Sequence, residues 1–260
     1  MSKLDPKKQE TADRFGKHAE GYATSQGHSS GDDLAIVLDL LKPKSHWNVL
    51  DIATGAGHTA ALVAPHVATV VASDISAGML AQAAKGFKAK GITNATTALA
   101  DVEQLHFGDE SFDAVTSRIA PHHFYNIKTA IAEMARVLKS EGVLVIEDNI
   151  APQAKRADRF INDLEKARDS THVRSYTKGE WRRMLIEAGF RVVRVRNYRK
   201  KHDIAEWVGR SDLSEAEKQH LYDTFAGAPE WARKRFVIEY AGGKAVSFMD
   251  EKVILRAIKD

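Results

Sequence analysis

Three aspartates, Asp51, Asp74 and Asp101, each close a short apolar or β-branched run, and two adjacent histidines, His122 and His123, follow a fourth such run. Carboxylates so placed can accept hydrogen bonds from hydroxyl or amino groups, or face a cation. A histidine titrates near neutrality and suits a general base. Between the first two acids, Thr54-Gly55-Ala56-Gly57-His58 carries two glycines. These permit a sharp turn and bring bare backbone, with the free amides of a helix start, close to a ligand. Paired glycines are also plain turn chemistry, and histidines after a strand also serve as packing or loop anchors. A second set, His172, Arg174, Tyr176 and Trp181, falls in a later loop and helix start. The planar fork of Arg174 suits a carboxylate or other anion, with a surface arginine as the plain alternative.

The elements that position these residues follow from hydrophobic period and caps. Strands are predicted at 48–53, 68–75, 96–100, 112–120 and 142–148, and helices at 59–64, 76–90 and 127–138, with Ser76 as a cap. Apolar runs alternating with helices mean a parallel sheet covered on both faces. Ahead of it, residues 8–23 read as one helix with Phe15, Ala19 and Tyr22 on one face, placed to lie across the domain as a flap. A Ser/Gly loop follows at 24–31, then a helix at 32–41 stopped by Pro43. Beyond Ala151 come a charged helix at 153–168, a helix at 178–188 and a strand at 190–198. Short helices carrying Trp207, Phe225 and Trp231 follow, then a hairpin at 236–248 and a final strand at 252–258. The reading is one domain: flap 1–31, core 32–150, substrate-side helices, strand six and an insertion over 151–249, and the last strand in 250–260.

The chain has 260 residues, 43% of them hydrophobic, enough for a substantial core. Its 38 basic against 35 acidic side chains leave a net charge of +3, too mild to demand a nucleic-acid partner. With no cysteine, disulfides, thiolate nucleophiles, Cys-ligated zinc and iron–sulfur clusters are excluded. No apolar run approaches the ~20 residues of a membrane span, so a cytoplasmic protein is expected.

In a doubly wound sheet, strand ends meet at the carboxyl edge and the ligand crevice lies where strand order reverses. The three acids therefore converge on one crevice. An acid after the second strand, about 20 residues past the glycines, is placed to accept from ribose hydroxyls, as NAD or S-adenosylmethionine would require. Asp51 before Gly55 would face a pyrophosphate unfavourably but suits a cationic amino group. Asp101-Val102 adds an acceptor for an adenine amine beside an apolar contact. Together they favour S-adenosylmethionine.

At this point Asp51-Ile-Ala-Thr-Gly-Ala-Gly-His58, Ser73-Asp74-Ile75-Ser76, Ala100-Asp101-Val102-Glu103 and Phe112-Asp113-Ala114-Val115 resemble the successive motifs of class I S-adenosylmethionine-dependent methyltransferases. The nearest likeness is to the ubiquinone/menaquinone biosynthesis C-methyltransferase group, over residues 32–148. Arg118-Ile-Ala-Pro-His-His-Phe124 and the stretch 172–181 are similar to a subset of it. The resemblance implies an α/β doubly wound Rossmann-like seven-stranded sheet, order 3-2-1-4-5-7-6, with the last strand antiparallel. It implies Gly55 and Gly57 against the methionine part, Asp74 on the ribose, Asp101 and Val102 at the adenine, and Tyr22 closing over the cofactor. Ala53, Thr54, His58, Ile75, Met79, Glu103 and Arg118 complete the implied cofactor surface. S-adenosyl-L-homocysteine is the implied product.

Methyl transfer is an in-line displacement, for which an enzyme aligns the nucleophile, excludes water and, for an acidic acceptor, removes a proton. One of His122 and His123 is expected to face the pocket. Ala120-Pro121-His122-His123 departs from the Asn/Asp-Pro-Pro-aromatic motif of enzymes that methylate planar amides or adenine. The expected substrate is thus a small molecule methylated at carbon or oxygen, walled by His172, Arg174, Tyr176 and Trp181. Rival readings are an RNA methyltransferase using the basic strand at 191–201, and a non-catalytic S-adenosylmethionine-binding protein. Basic residues there also block edge-to-edge pairing. Asp148 and Asn149 with His122 or His123 and His172 could form a hard-metal site, but such His/Asp scatter at strand ends is common without metal, and none is expected. Expected partners are the small-molecule substrate alone, without nucleic acid or membrane span, with a homodimer left open.

Overall fold

A computed structural model describes residues 4–24, 32–209 and 212–260 of the chain. The strands β1 (Asn48–Ile52), β2 (Thr69–Asp74), β3 (Ala95–Leu99), β4 (Phe112–Arg118), β5 (Leu138–Ile150), β6 (Phe190–Asp203), β7 (Glu239–Ala241) and β8 (Lys244–Lys259) form one sheet. Its order is β3-β2-β1-β4-β5-β8-β6, with short β7 pairing antiparallel to β8 off that path. Because β8 closes the chain, this is the expected order with the last strand between the fifth and sixth. β1 pairs in parallel with β2 and β4, Leu50 lying opposite Val71 and Val115, and Leu50 and Val49 are fully buried. Such central strands, covered on both faces, read as unbroken apolar runs. Lys259 near the end of β8 donates to the carbonyl oxygen of Leu138 at the start of β5, while Lys252 earlier in β8 reaches Asn149 near the end of β5. The two strands therefore run in opposite directions.

Helices α3 (Asp32–Leu41), α4 (His58–Val63), α5 (Ala77–Ala89) and α6 (Ile127–Val137) follow the predicted positions. In α6 the Asn126 side chain caps the first turn by accepting from the Thr129 amide. Its buried residues Ile127, Ala130, Ile131, Met134 and Val137 form a single stripe. Ser76 caps α5 as expected, accepting from the Met79 amide.

At the N-terminus one predicted helix is two, α1 (Pro6–Lys17) and α2 (Ala19–Thr24), parted at His18, whose φ of −102° and ψ of 7° leave the helical region. Most of the predicted loop at 24–31 lies outside the described residues. α1 crosses α5 through two glycines: a Cβ on Gly78 would stand 2.8 Å from the Gly16 Cα, so the two backbones touch.

The chain forms two compact units. One takes Met1–Glu147, Arg182–Arg196 and Ile254–Asp260, so far as these are described, and holds β1 to β4 with parts of β5, β6 and β8; the other takes Asp148–Trp181 and Asn197–Val253. The second unit contains α7 (Lys155–Arg168), the start of α8 (Lys178–Glu187), α9 (Ile204–Gly209), α10 (Glu215–Ala226) and α11 (Glu230–Arg235). Its own core gathers Ile161, Leu164, Trp207, Leu221, Phe225 and Phe248. Trp207 and Phe225 are thus packing residues, and Trp231 is half-buried against the same cluster.

Two strand expectations are corrected here. β6 runs on to Asp203, and the predicted hairpin arm and final strand are one continuous β8. Asp250 and Glu251 look like a polar break but sit inside that strand. Asp250 lies 3.0 Å from His202, and Glu251 pairs with Arg235 and Arg199. Burial would raise the Asp250 pKa, yet Lys252 and His202 outweigh it and hold the carboxyl down at about 2. The basic strand β6 carries ion pairs toward both ends, Arg191 with Glu141 and Asp260, and Lys201 with Glu239. Among the described residues, no helix is long and apolar enough to cross a membrane.

Candidate active site

β1, β2 and β4 end on the same edge of the sheet, and the chain turns sharply as it leaves them. Ala53 after β1 and Ile119 after β4 both have positive φ, 51° and 52°. For a β-branched residue such as Ile119 that conformation is strained, and bonds around it must hold it. The Ile119 amide donates to the Glu147 carbonyl at 2.8 Å, and the Thr54 amide to the Ser73 carbonyl at 2.9 Å. These exits open a cavity between the strand ends and α1 and α2.

The three acids line it. Asp51, 1% exposed, accepts the hydroxyls of Thr54 and Thr116, each at 2.6 Å; its register opposite Thr116 in β4 makes the second bond. Burial pushes its pKa up against those two bonds. Asp74 accepts the Gly55 amide through one oxygen and the Ser76 amide through the other, both at 2.9 Å. Burial raises its pKa to about 6, the two amides oppose, and neighbouring Asp51 adds to the rise. Asp101 accepts from the Glu103 amide, and the Lys8 ammonium from α1 bridges Asp101 and Glu103 at 2.7 and 2.8 Å.

Arg118 at the end of β4 lines the cavity too, donating to Thr59 at 3.2 Å and forming a buried ion pair with Asp33 of α3. Asp33 was not anticipated, because Asp32-Asp33 at a helix start reads as ordinary dipole pairing. His58 reaches the Tyr22 carbonyl at 3.2 Å and so ties α2 down, with burial lowering its pKa. Tyr22 lies edge-on to Phe15, and Phe15 edge-on to His123 at 5.1 Å.

Ala53, Thr54, Gly55, Ile75, Met79, Val102 and Glu103 also line the cavity. Gly57 does not. Its φ is 82°, and a Cβ there would come within 2.9 Å of Ala83 and Phe87, so Gly57 serves helix packing. Gly55, at φ 55°, has nothing within 4 Å of such a Cβ; its bare backbone faces open cavity. The two glycines should respond differently to alanine. Gly57→Ala is expected to cost about 3 kcal/mol of stability, from the left-handed backbone plus overpacking, and Gly55→Ala about 1. Urea unfolding with unchanged slope checks both; equal losses would refute the distinction.

Of the two histidines, His123 lines the cavity, whereas His122 is 5% exposed and absent from the lining. Their ring centroids lie 4.1 Å apart with the planes tilted by 45°, closer than neighbours on a strand would be, because Pro121–His123 is a 3-10 turn. Lys8, Thr11, Phe15, Phe124 and Tyr125 complete walls that local sequence did not reveal.

The other predicted set belongs to the second unit. His172 is 1% exposed, its ring bonded to Asn162 at 3.1 Å. The Arg174 guanidinium is engaged by Asp158 and Glu180 at 2.9 and 3.2 Å. Tyr176 is half-buried, with its pKa raised by burial, and Trp181 is fully buried edge-on to it. Among the described residues, no three of His, Asp and Glu gather as a metal site.

The lining sets four carboxylates, of Asp51, Asp74, Asp101 and Glu103, against two fixed cations, Lys8 and Arg118. That excess suits a ligand carrying positive charge and opposes a pyrophosphate. Cationic ligand, ribose acceptor and open glycine backbone together fit an adenosyl sulfonium.

A family model described as a methyltransferase domain matches residues 50–146. YcgJ of Bacillus subtilis, named an uncharacterized methyltransferase, is 30% identical over 246 residues, 94% of this chain and 97% of that protein. Its solved structure has a TM-score of 0.85 at 29% identity, covering 88% of this chain and 98% of that one. A solved protein of Bacillus halodurans C-125, described provisionally as a methyltransferase, has a TM-score of 0.86 at 37% identity, covering 88% of this chain and 99% of its own. A demethylmenaquinone methyltransferase of Bacteroides fragilis is 32% identical over 126 residues, 47% of this chain and 49% of that protein.

Proposed function

Because the chain belongs to the class I S-adenosylmethionine-dependent methyltransferases, we propose that it methylates a small molecule at carbon or oxygen, with His123 as general base. The observation carrying this reading is that His123 lines the same cavity as Asp51, Asp74 and Gly55. When bound, the cofactor supplies an electrophilic methyl group on a sulfonium.

The chain's own residues divide the remaining work. Asp74 accepts from the ribose hydroxyls, Asp101 and Val102 take the adenine edge, and Gly55 lets the ligand lie against backbone. Asp51 and Arg118 address the amino and carboxylate groups of the methionine part. Phe15 and Tyr22 exclude water from that side of the cavity, which strengthens every charge interaction inside it. A ring nitrogen of His123 takes the proton that a phenolic or activated carbon acceptor must lose.

Calorimetric titration is expected to show one site for S-adenosylhomocysteine, and labelled methyl from S-adenosylmethionine should enter the small-molecule fraction of a metabolite extract. Binding of NADH with no binding of S-adenosylhomocysteine would overturn the assignment.

A further inference from the structure

Lys8 is the one lysine among the described residues that line the cavity, and methyl transfer as described above gives it no task. It sits in the first turn of α1, its ammonium 2.7 Å from Asp101 and 2.8 Å from Glu103, and none of the three side chains is more than 17% exposed. Charge-assisted bonds so shielded hold far better than the same pair in open water. Burial would lower the Lys8 pKa, but the two carboxylates raise it, so the ammonium stays charged.

The acids are anchored in turn. Glu103 accepts from the Asn126 amide at 2.7 Å through its other oxygen, and the neighbouring Tyr125 hydroxyl lies 3.0 Å from the Lys7 carbonyl and 3.1 Å from Thr11. The start of α1 is thus fastened to the loops after β3 and β4. Its far end rests on α5 through the Gly16–Gly78 crossing, a contact of bare backbone. Lys8, Thr11 and Phe15 between these two points form one wall of the cavity.

We propose that Lys8 is an electrostatic latch holding α1 across the adenosyl cavity, so that cofactor and product exchange is paced by breaking its bonds to Asp101 and Glu103. The Asp101 carboxylate then serves both the latch and the adenine edge, coupling closure of the helix to occupancy of the site. This inference rests on reading the cavity as the S-adenosylmethionine site.

Dissociation of S-adenosylhomocysteine from the full chain, followed by stopped flow against salt concentration, tests it. The wild-type rate is expected to rise modestly with salt, because the pair is shielded in the closed state and its charges meet salt only as the latch opens. Lys8→Met should release the ligand about tenfold faster and without salt dependence, while Lys8→Arg stays within about threefold of wild type. Equal rates for wild type and Lys8→Met would overturn the latch. So would Lys8→Arg releasing as fast as Lys8→Met, since the charge would then not be the holding force. Failure of the wild type to bind S-adenosylhomocysteine would instead overturn the cofactor assignment.

Discussion

Replacing Asp74 by alanine is expected to weaken S-adenosylhomocysteine binding about 100-fold, or about 3 kcal/mol. Two effects add. The carboxylate is the proposed ribose acceptor, and bonds to a charged group contribute about 1.5–3 kcal/mol. It also holds the glycine turn in place through the Gly55 amide and caps the approach to α5 through the Ser76 amide. Because burial lifts its pKa from 3.8 to about 6 in the ligand-free protein, ionising Asp74 costs folding stability as pH rises through that interval. Binding has the opposite sign. Hydroxyl donors favour the ionised carboxylate, so affinity should rise as pH rises through about 6 and level off near neutrality. Below pH 6 each further unit should cost up to about tenfold, one proton being displaced. Asp74→Asn should bind weakly and show no such slope. Titrations at several pH values decide it: a wild-type affinity constant from pH 5 to 7.5, or an alanine variant within threefold of wild type, would refute the role given to Asp74.

His123→Ala should lower kcat by about 100-fold while leaving the affinity for S-adenosylhomocysteine within about threefold. Loss of a general base removes transition-state help without touching the adenosyl contacts, whereas His122, outside the lining, should matter mainly for packing. The Phe15 ring lies edge-on to His123, so the imidazole is held in place from the α1 side, and Phe15→Ala should reduce kcat by a smaller factor. Full turnover in both histidine variants would exclude a histidine base.

The sheet and its three terminal acids were legible because each strand is an apolar run punctuated by turn chemistry, and the alternation with helices dictates which ends share an edge. What escaped was decided by contacts between distant residues. Lys8 meets Asp101 across 93 positions, which leaves no local pattern. The break at His18 follows Gly16, but that glycine is itself helical and serves the crossing with α5, so it does not mark the break. Gly55 and Gly57 share residue type and sign of φ, and only the neighbours Ala83 and Phe87 send one to packing and leave the other facing the ligand. Asp250 and Glu251 read as a strand break because their partners His202, Arg199 and Arg235 stand on other elements.

The placement of β8 bears on how the molecule comes into being on the ribosome. β6 has no neighbour in the sheet until β8 enters between it and β5. A nascent chain that has emerged only through β6 therefore carries an unpaired basic strand and an open β5 edge, both waiting on a segment more than 40 residues downstream. Strand insertion into the interior of a sheet is a non-local event and slow. During that interval the lysines and arginines of β6 act as gatekeepers against pairing between chains, the same charges that later meet Glu251, Glu239 and Asp260 in the finished protein.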